Sequence, residues 1–214
     1  MTPEAAIVLI VDDDPRVREA LSELLEAHGI RVATYASAGE YARAAKPDAP
    51  ACLLLDVELP DINGLDLQTQ LVGAHHPPIV FITGHGDIPS SVRAIKHGAI
   101  DFLTKPFGDE VLLAAIHAAF SQDTRLRADR ADLERLMARY ETLTPRERAV
   151  LPLVVSGLLN KQAAAELELS EVTLQVHRRN VLRKMGAASL ADLVRIAERL
   201  KIPVTHARHG AREA

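Results

Sequence analysis

The chain has 214 residues, 48% of them hydrophobic but only 3% aromatic, so it is long enough for two small domains, while so few aromatics argue against an aromatic-built ligand cage or stacking platform. Its single cysteine, Cys52, rules out an internal disulfide or a Cys-rich zinc site. The formal charge of −4 hides an asymmetry: residues 1–121 carry 8 basic and 17 acidic side chains (−9), residues 122–214 carry 17 and 12 (+5), so only the second half is expected to meet a polyanion.

Taken in order, the first half alternates apolar runs with amphipathic stretches, as a doubly wound α/β fold requires. Ala6–Val11 reads as a buried strand ending in Asp12-Asp13-Asp14, and this break excludes a signal peptide or membrane span and predicts a cytoplasmic protein. Pro15 and Gly29 bracket a first helix with Val17, Ala20, Leu21, Leu24 and Leu25 on one face. Arg31–Ala36 is a short strand, and Ser37 caps a helix to about Lys46, where Pro47 stops it. Cys52-Leu-Leu-Leu-Asp56 is a buried strand ending in a carboxylate, followed by the turn formers Pro60 and Asn63-Gly64. A helix from Gly64 to Val72, a strand Ile79–Ile82 ending in Thr83-Gly84, and a helix from Pro89 to His97 follow. The last of these has few apolar residues and reads as weakly anchored. Asp101–Thr104 is a strand ending in Lys105-Pro106, and Asp109–Phe120 is the fifth helix.

Chemistry in an open parallel sheet gathers at the carboxyl ends of its strands. Four such ends here supply Asp12 and Asp13, Asp56, the hydroxyl of Thr83 and the ammonium of Lys105. Clustered carboxylates repel unless a cation joins them, and hard oxygen ligands suit Mg²⁺. A metal and a lysine that neutralise phosphoryl oxygens, beside a hydroxyl that donates to one, are the equipment for receiving a phosphoryl group on a carboxylate.

These four motifs, in this order and spacing, resemble the receiver domain of bacterial two-component response regulators from about Ala6 to Phe120. The resemblance implies a five-stranded parallel sheet of order 2-1-3-4-5, Asp56 as phospho-acceptor, and Asp12 and Asp13 as the rest of an acidic pocket. In such a pocket Mg²⁺ (or Mn²⁺) would be held by Asp12, Asp13, Asp56 and the backbone carbonyl of Glu58. Thr83 and Phe102 would be switch residues, Lys105 would pair with the phosphate, and Lys105-Pro106 would be a cis bond. Glu58 and His85, two residues after Asp56 and Thr83, fall where the family varies to tune phosphate lifetime. His85 is expected to shield the phosphate.

No Pro or Gly occurs between Gly108 and Pro145, so the fifth helix has no break before the second half. Leu126, Leu133 and Tyr140, spaced by seven with Leu136 between, fit either a short coiled coil or a solvated linker helix. After Thr144-Pro145 only short helices follow. Thr144-Pro-Arg-Glu147 has capping-box form ahead of Val150, Leu151, Val154 and Val155, and Gly157 ends that helix. Lys161–Leu167, Ser170–Lys184 and Leu190–Leu200 are three more, the second of them bounded by Met185-Gly186. On that helix Leu174, Val181, Leu182 and Met185 should face inward. Gln175, Val176, Arg179 and Arg183 then face outward, an arrangement suited to major-groove edges and phosphates.

Leu143-Thr-Pro-Arg-Glu-Arg, Gly157-Leu-Leu-Asn-Lys-Gln-Ala-Ala and Ser170-Glu-Val-Thr-Leu-Gln-Val-His-Arg-Arg resemble the LuxR-type helix-turn-helix domain from about Leu143 to Leu200. The whole chain is thus similar to response regulators of the NarL/FixJ class, nearest the FixJ branch. Its implied organisation is a receiver over 1–121, a helical linker over 122–142, an all-α four-helix DNA-binding domain over 143–202 and a tail over 203–214. Asn160 and Lys161 would bind phosphate and Gln175, Val176 and Arg179 would read bases, with Thr173, Arg178 and Arg183 completing the DNA surface. The family often has Lys where Gln175 stands, so a relative's operator does not transfer.

The implied function is a phosphorylation-controlled transcriptional regulator, not an enzyme. Its partners would be a sensor histidine kinase, double-stranded DNA, RNA polymerase and a second copy on phosphorylation. Two other readings stand beside it. One is a phosphorylation-independent regulator whose receiver only supports dimerisation. The other is a Mg²⁺-dependent phosphatase with an Asp nucleophile, for which Glu58 occupies the acid/base position although an Asp-x-Asp-x-Thr pattern is absent. His206 and His209 in the tail read as solvated.

Overall fold

The structure, a computed structural model, describes residues 6–73, 75–84 and 86–203. The chain divides into two compact units, Met1–Arg127 and Ala128–Ala214.

In the first unit, strands β1 (Ile7–Val11), β2 (Arg31–Tyr35), β3 (Ala51–Asp56), β4 (Ile79–Thr83) and β5 (Asp101–Thr104) alternate with helices α1 (Pro15–Ala27), α2 (Ala38–Arg43), α3 (Gly64–Leu71) and α4 (Ile88–Lys96). The strands form one parallel sheet of order β2-β1-β3-β4-β5. Because successive side chains point to opposite faces, β1, β3 and β4 feed two separate cores. Leu9, Val11, Leu53, Leu55 and Phe81 meet Tyr41, Leu65, Leu67 and Ala94 of α2, α3 and α4 on one face. Val8, Ile10, Cys52, Leu54, Val80 and Ile82 meet α1 (Leu21, Leu25) and the first part of α5 (Asp109–Glu141), through Leu112, Ile116 and Ala119, on the other. Residues buried on both faces explain why these strands read as unbroken apolar runs. Each such side chain stabilises the fold by roughly 1.5–3 kcal/mol, so the three central strands dominate its stability.

Helix boundaries follow capping. Asp14, Ser37, Asn63 and Asp87 accept backbone N–H groups at the starts of α1 to α4. Two local expectations are corrected. Ala20 on α1 is exposed, outside the buried stripe of Leu21 and Leu25. Helix α2 stops at Arg43 rather than near Lys46, because the chain turns extended at Ala44 and Lys46 folds back with its ammonium 3.5 Å from the Tyr41 ring centroid.

Helix α5 runs without a break from Asp109 to Glu141. Within the first unit its buried Asp123 accepts the N–H of Ala51 at 2.9 Å and Arg127 Nε at 2.7 Å, while Arg127 Nη2 donates to the Pro47 carbonyl at 2.8 Å. This clamp ties α5 to the start of β3, the strand that ends in Asp56.

The second unit holds the end of α5 with α6 (Pro145–Val155), α7 (Asn160–Glu166), α8 (Glu171–Met185) and α9 (Leu190–Arg199). Val150, Leu151, Val154, Ala163, Leu174, Val181, Met185, Leu193 and Ala197 form one core, with Tyr140 against it. Leu126 is 42% exposed, so the heptad positions of α5 are not one continuous buried seam among the described residues. Glu147 completes the capping box with Thr144 and also accepts Lys184 Nζ at 2.6 Å. Although burial opposes its charge, the Lys184 and Thr144 hydrogen bonds prevail and hold this 3% exposed carboxyl below the usual range.

Candidate functional site

The carboxyl ends of β1, β3, β4 and β5 place Asp12, Asp56, Thr83 and Lys105 beside one another. Asp12 and Thr83 are fully buried, Asp56 is nearly so, and Asp13 is exposed. Carboxylate oxygens of Asp12, Asp13 and Asp56 all lie within 4.8 Å of one another, a grouping that could hold a metal ion. Lys105 Nζ donates to Asp12 Oδ2 at 2.8 Å and to Asp56 Oδ2 at 3.0 Å. The bond from Lys105 to Pro106 is cis.

At such separations two carboxylates repel by on the order of 3 kcal/mol at an intermediate effective dielectric. One ammonium balances only one of the three negative charges. Burial raises the Asp12 pKa, and the hydrogen bonds from Lys105 and from the Asp14 N–H only partly offset this. Burial also opposes the Lys105 charge, yet its hydrogen bonds to the two carboxylates prevail and its pKa is raised.

Asp56 is fixed by its neighbours. Its Oδ1 accepts the Glu58 N–H at 3.0 Å, which leaves Oδ2 toward Lys105. Beyond it, Gly64 N–H donates to the Val57 carbonyl at 2.8 Å, and a Cβ on Gly64 would overlap the Asp56 carbonyl oxygen. The sequence marks Gly64 only as a turn former. Its requirement comes from this close approach of the start of α3 to the acceptor backbone. Asp61, which sequence reasoning did not single out, accepts the N–H groups of Ala38 and Gly39 at 3.3 and 2.8 Å and so anchors the same loop to α2.

Glu58 is exposed, with a bridge to Asn63. Phe102 is half-buried on β5, its ring centroid 6.1 Å from that of Phe81. A Cβ on Gly86 would overlap the Thr104 side chain, so Gly86 itself lies tight against the end of β5. His85 lies outside the described residues, as do His206 and His209.

In the second unit, Thr173, Gln175, Val176, Arg179 and Arg183 are exposed on α8, while Leu174, Val181 and Met185 are buried and Leu182 is partly buried. Lys161 is exposed at the start of α7. Asn160 Oδ1 accepts Arg178 Nη1 at 2.9 Å, a link between α7 and α8 that no local sequence pattern announces. It fixes both side chains while leaving the Asn160 amide N–H₂ and further Arg178 N–H groups as donors. Ser170 caps α8 through the Thr173 N–H at 3.1 Å. Among the described residues, no helix is long and apolar enough to cross a membrane.

Residues 8–117 match the family described as the response regulator receiver domain, and residues 141–197 match the bacterial regulatory proteins of the luxR family. The chain is 49% identical to nodulation protein W of Bradyrhizobium diazoefficiens over 202 residues, 94% of this chain and 89% of that protein. Among solved structures it is similar to the response regulator StyR, with a TM-score of 0.76 and 43% identity over 91% of this chain and 99% of that one. It is also similar to full-length FixJ from B. japonicum, with a TM-score of 0.55 and 37% identity over 94% and 100% of the two chains.

Proposed function

The chain belongs to the response regulators that join a receiver domain to a LuxR-type DNA-binding domain, and on that premise we propose that Asp56 accepts a phosphoryl group from a sensor histidine kinase and that this controls DNA binding through α8. The observation that carries the reading is the Lys105 ammonium within hydrogen-bond distance of both Asp12 and Asp56, with Asp13 completing the carboxylate group.

An Asp56 oxygen attacks the phosphorus in line, the bond from phosphorus to the donor imidazole nitrogen breaks, and that nitrogen leaves with the bonding electron pair. Asp12, Asp13 and Asp56, with the Glu58 backbone carbonyl, would hold Mg²⁺ or Mn²⁺, which when bound screens the phosphoryl oxygens. The fit rests on hard oxygen donors that converge and on a negative charge that Lys105 only partly balances. Lys105 then pairs with a phosphoryl oxygen, and the Thr83 hydroxyl donates to another. The half-buried Phe102 turns inward behind Thr83. Glu58 and His85 stand as the residues that set how long the acyl phosphate survives, with His85 as a shield.

The response reaches DNA through a second copy and through α8. Ile88, Val92 and Ile95, spaced four and three apart on α4, are exposed apolar residues, which supports dimerisation over that helix on phosphorylation. Gln175, Val176 and Arg179 read base edges, while Asn160, Lys161, Thr173, Arg178 and Arg183 hold phosphates. The DNA-bound dimer then meets RNA polymerase in the cytoplasm, where the DNA is. Selection of genomic fragments by phosphorylated protein tests the reading. Sites enriched with the parent and lost with Asp56→Asn support it, and equal enrichment by both proteins would favour a receiver that acts without phosphate.

A further inference from the structure

Two helices of the second unit carry one residue pattern twice. Asp132, Arg135, Leu136 and Arg139 on α5 are matched, position for position, by Asp192, Arg195, Ile196 and Arg199 on α9. Spacings of three, four and seven put each set on one helix face. The two faces line a single open cavity of about 320 Å³. Four guanidinium groups against two carboxylates leave its wall with an excess of two positive charges.

Contacts within the protein use only part of this equipment. Asp132 accepts from Arg135 on its own helix and lies 3.6 Å from Arg199 across the cavity. Asp192 accepts from Arg195 at 3.2 Å and, through its other oxygen, from the Ala188 N–H at 3.0 Å. Arg139 donates to the Met185 carbonyl at 3.1 Å and Arg199 to the Asp129 carbonyl at 3.4 Å. These contacts engage one or two of the five N–H donors on each guanidinium. Exposed ion pairs of this kind contribute only ~0–1 kcal/mol, so stability alone gives little reason to gather four arginines around one cavity. The Arg135 hydrogen bond holds the Asp132 pKa down, and the Ala188 N–H followed by Arg195 does the same for Asp192. Both carboxylates therefore stay charged near neutral pH, and the excess positive charge is a constant feature of the cavity.

We propose that this cavity binds a compact anion with two adjacent phosphoryl groups, the diphosphate unit of pyrophosphate or of a nucleoside diphosphate. Planar guanidinium forks match phosphate oxygens in pairs, and one fork pair from each helix matches two phosphoryl groups. The cavity volume exceeds what a bare diphosphate needs, and Leu136 and Ile196 supply apolar surface on which a nucleoside can rest. Every lining residue belongs to α5 or α9, and none is among the residues assigned above to the DNA surface or the receiver pocket.

The test is calorimetric titration of the full chain with pyrophosphate and with ADP, in excess chelator so that the acidic receiver pocket takes no metal–phosphate complex. One equivalent of each should bind, and Arg135→Ala with Arg195→Ala should weaken binding ~10-fold or more. These two side chains are 70% and 71% exposed, so the double variant should fold. Should its circular dichroism differ from the parent, Arg135→Lys with Arg195→Lys carries the test, since it keeps the charge and loses the fork. Equal affinities identify the diphosphate as the whole ligand, and tighter binding of ADP identifies a nucleotide. Absence of binding, binding unchanged in the folded variant, or displacement of pyrophosphate by duplex DNA, which would place the anion on α8, would each overturn the proposal.

Discussion

Lys105 Nζ stands 3.0 Å from Asp56 Oδ2, and the same nitrogen donates to Asp12 at 2.8 Å, so one ammonium spans the ends of β1 and β3 from the end of β5. Its pKa is raised in the folded state. The stability it contributes is therefore fully present below the unfolded value of ~10.4 and is lost only as pH rises through the folded value. At any pH where a phosphoryl group would be transferred, Asp56 faces a cation.

Asp12 has the opposite consequence. Burial raises its pKa, so the folded state binds its proton more readily than the unfolded state and its ionised form costs stability at neutral pH. Asp12→Asn should raise the thermal midpoint at pH 7 in metal-free buffer while abolishing metal-dependent phosphorylation. The gain should fade as pH falls through the folded pKa toward ~3.9. A midpoint lowered at pH 7 would contradict this account of the pocket.

Gly64 separates backbone from side-chain requirements at the acceptor. Since an added Cβ would overlap the Asp56 carbonyl oxygen, Gly64→Ala should shift the acceptor loop, cost ~1–3 kcal/mol in stability and slow phosphorylation ~10-fold or more with every pocket side chain present. Labelling rates with a small phosphodonor, read beside a urea melt, check both parts. A stable variant labelled at the parental rate would show that the loop absorbs the methyl group.

Much of this was legible in the sequence because the determinants are local. The runs of β1, β3 and β4 announce strands buried on both faces, and their terminal Asp12, Asp56 and Thr83 announce the crevice. The Asp123–Ala51 and Asn160–Arg178 hydrogen bonds join residues 72 and 18 positions apart, and no periodicity records such partners. Gly64 was visible as a turn former, but what makes a Cβ costly there is the Asp56 backbone that folding brings against it. Lys46 illustrates the same limit, since stacking on Tyr41 accompanies the early end of α2 that helix propensity alone would extend.

The Glu147–Lys184 pair locks α6 to α8. Lys184→Met should destabilise the second unit by ~2–3 kcal/mol, because the buried carboxylate keeps only its capping contacts. Amide exchange in α6 and α8 should accelerate accordingly. The Glu147 pKa is held down in the folded state, so the pair's contribution is present above ~4.3 and is lost as pH falls through the folded value. Parent and variant should converge in acid, and a gap that persists there would point to packing instead.

Arg178 and Arg179 differ in how they are held. Arg178 is fixed by Asn160, whereas Arg179 is exposed. A double-mutant cycle of Asn160→Ala and Arg178→Ala in DNA affinity should give a coupling of ~0.5–3 kcal/mol. Arg179→Ala should cost ~1–3 kcal/mol at a cognate site if it reads a base. Additive losses in the cycle would remove Asn160 as the residue that positions Arg178.

The central claim is that Asp56 takes the phosphoryl group in a metal-dependent reaction. Intact-mass measurement after incubation with a small phosphodonor and Mg²⁺, followed by fragment mapping, tests it most directly. The account predicts one added phosphoryl group, located on Asp56, that is absent in Asp56→Ala and in excess chelator. Undiminished labelling of Asp56→Ala, or labelling that persists without divalent metal, would contradict it.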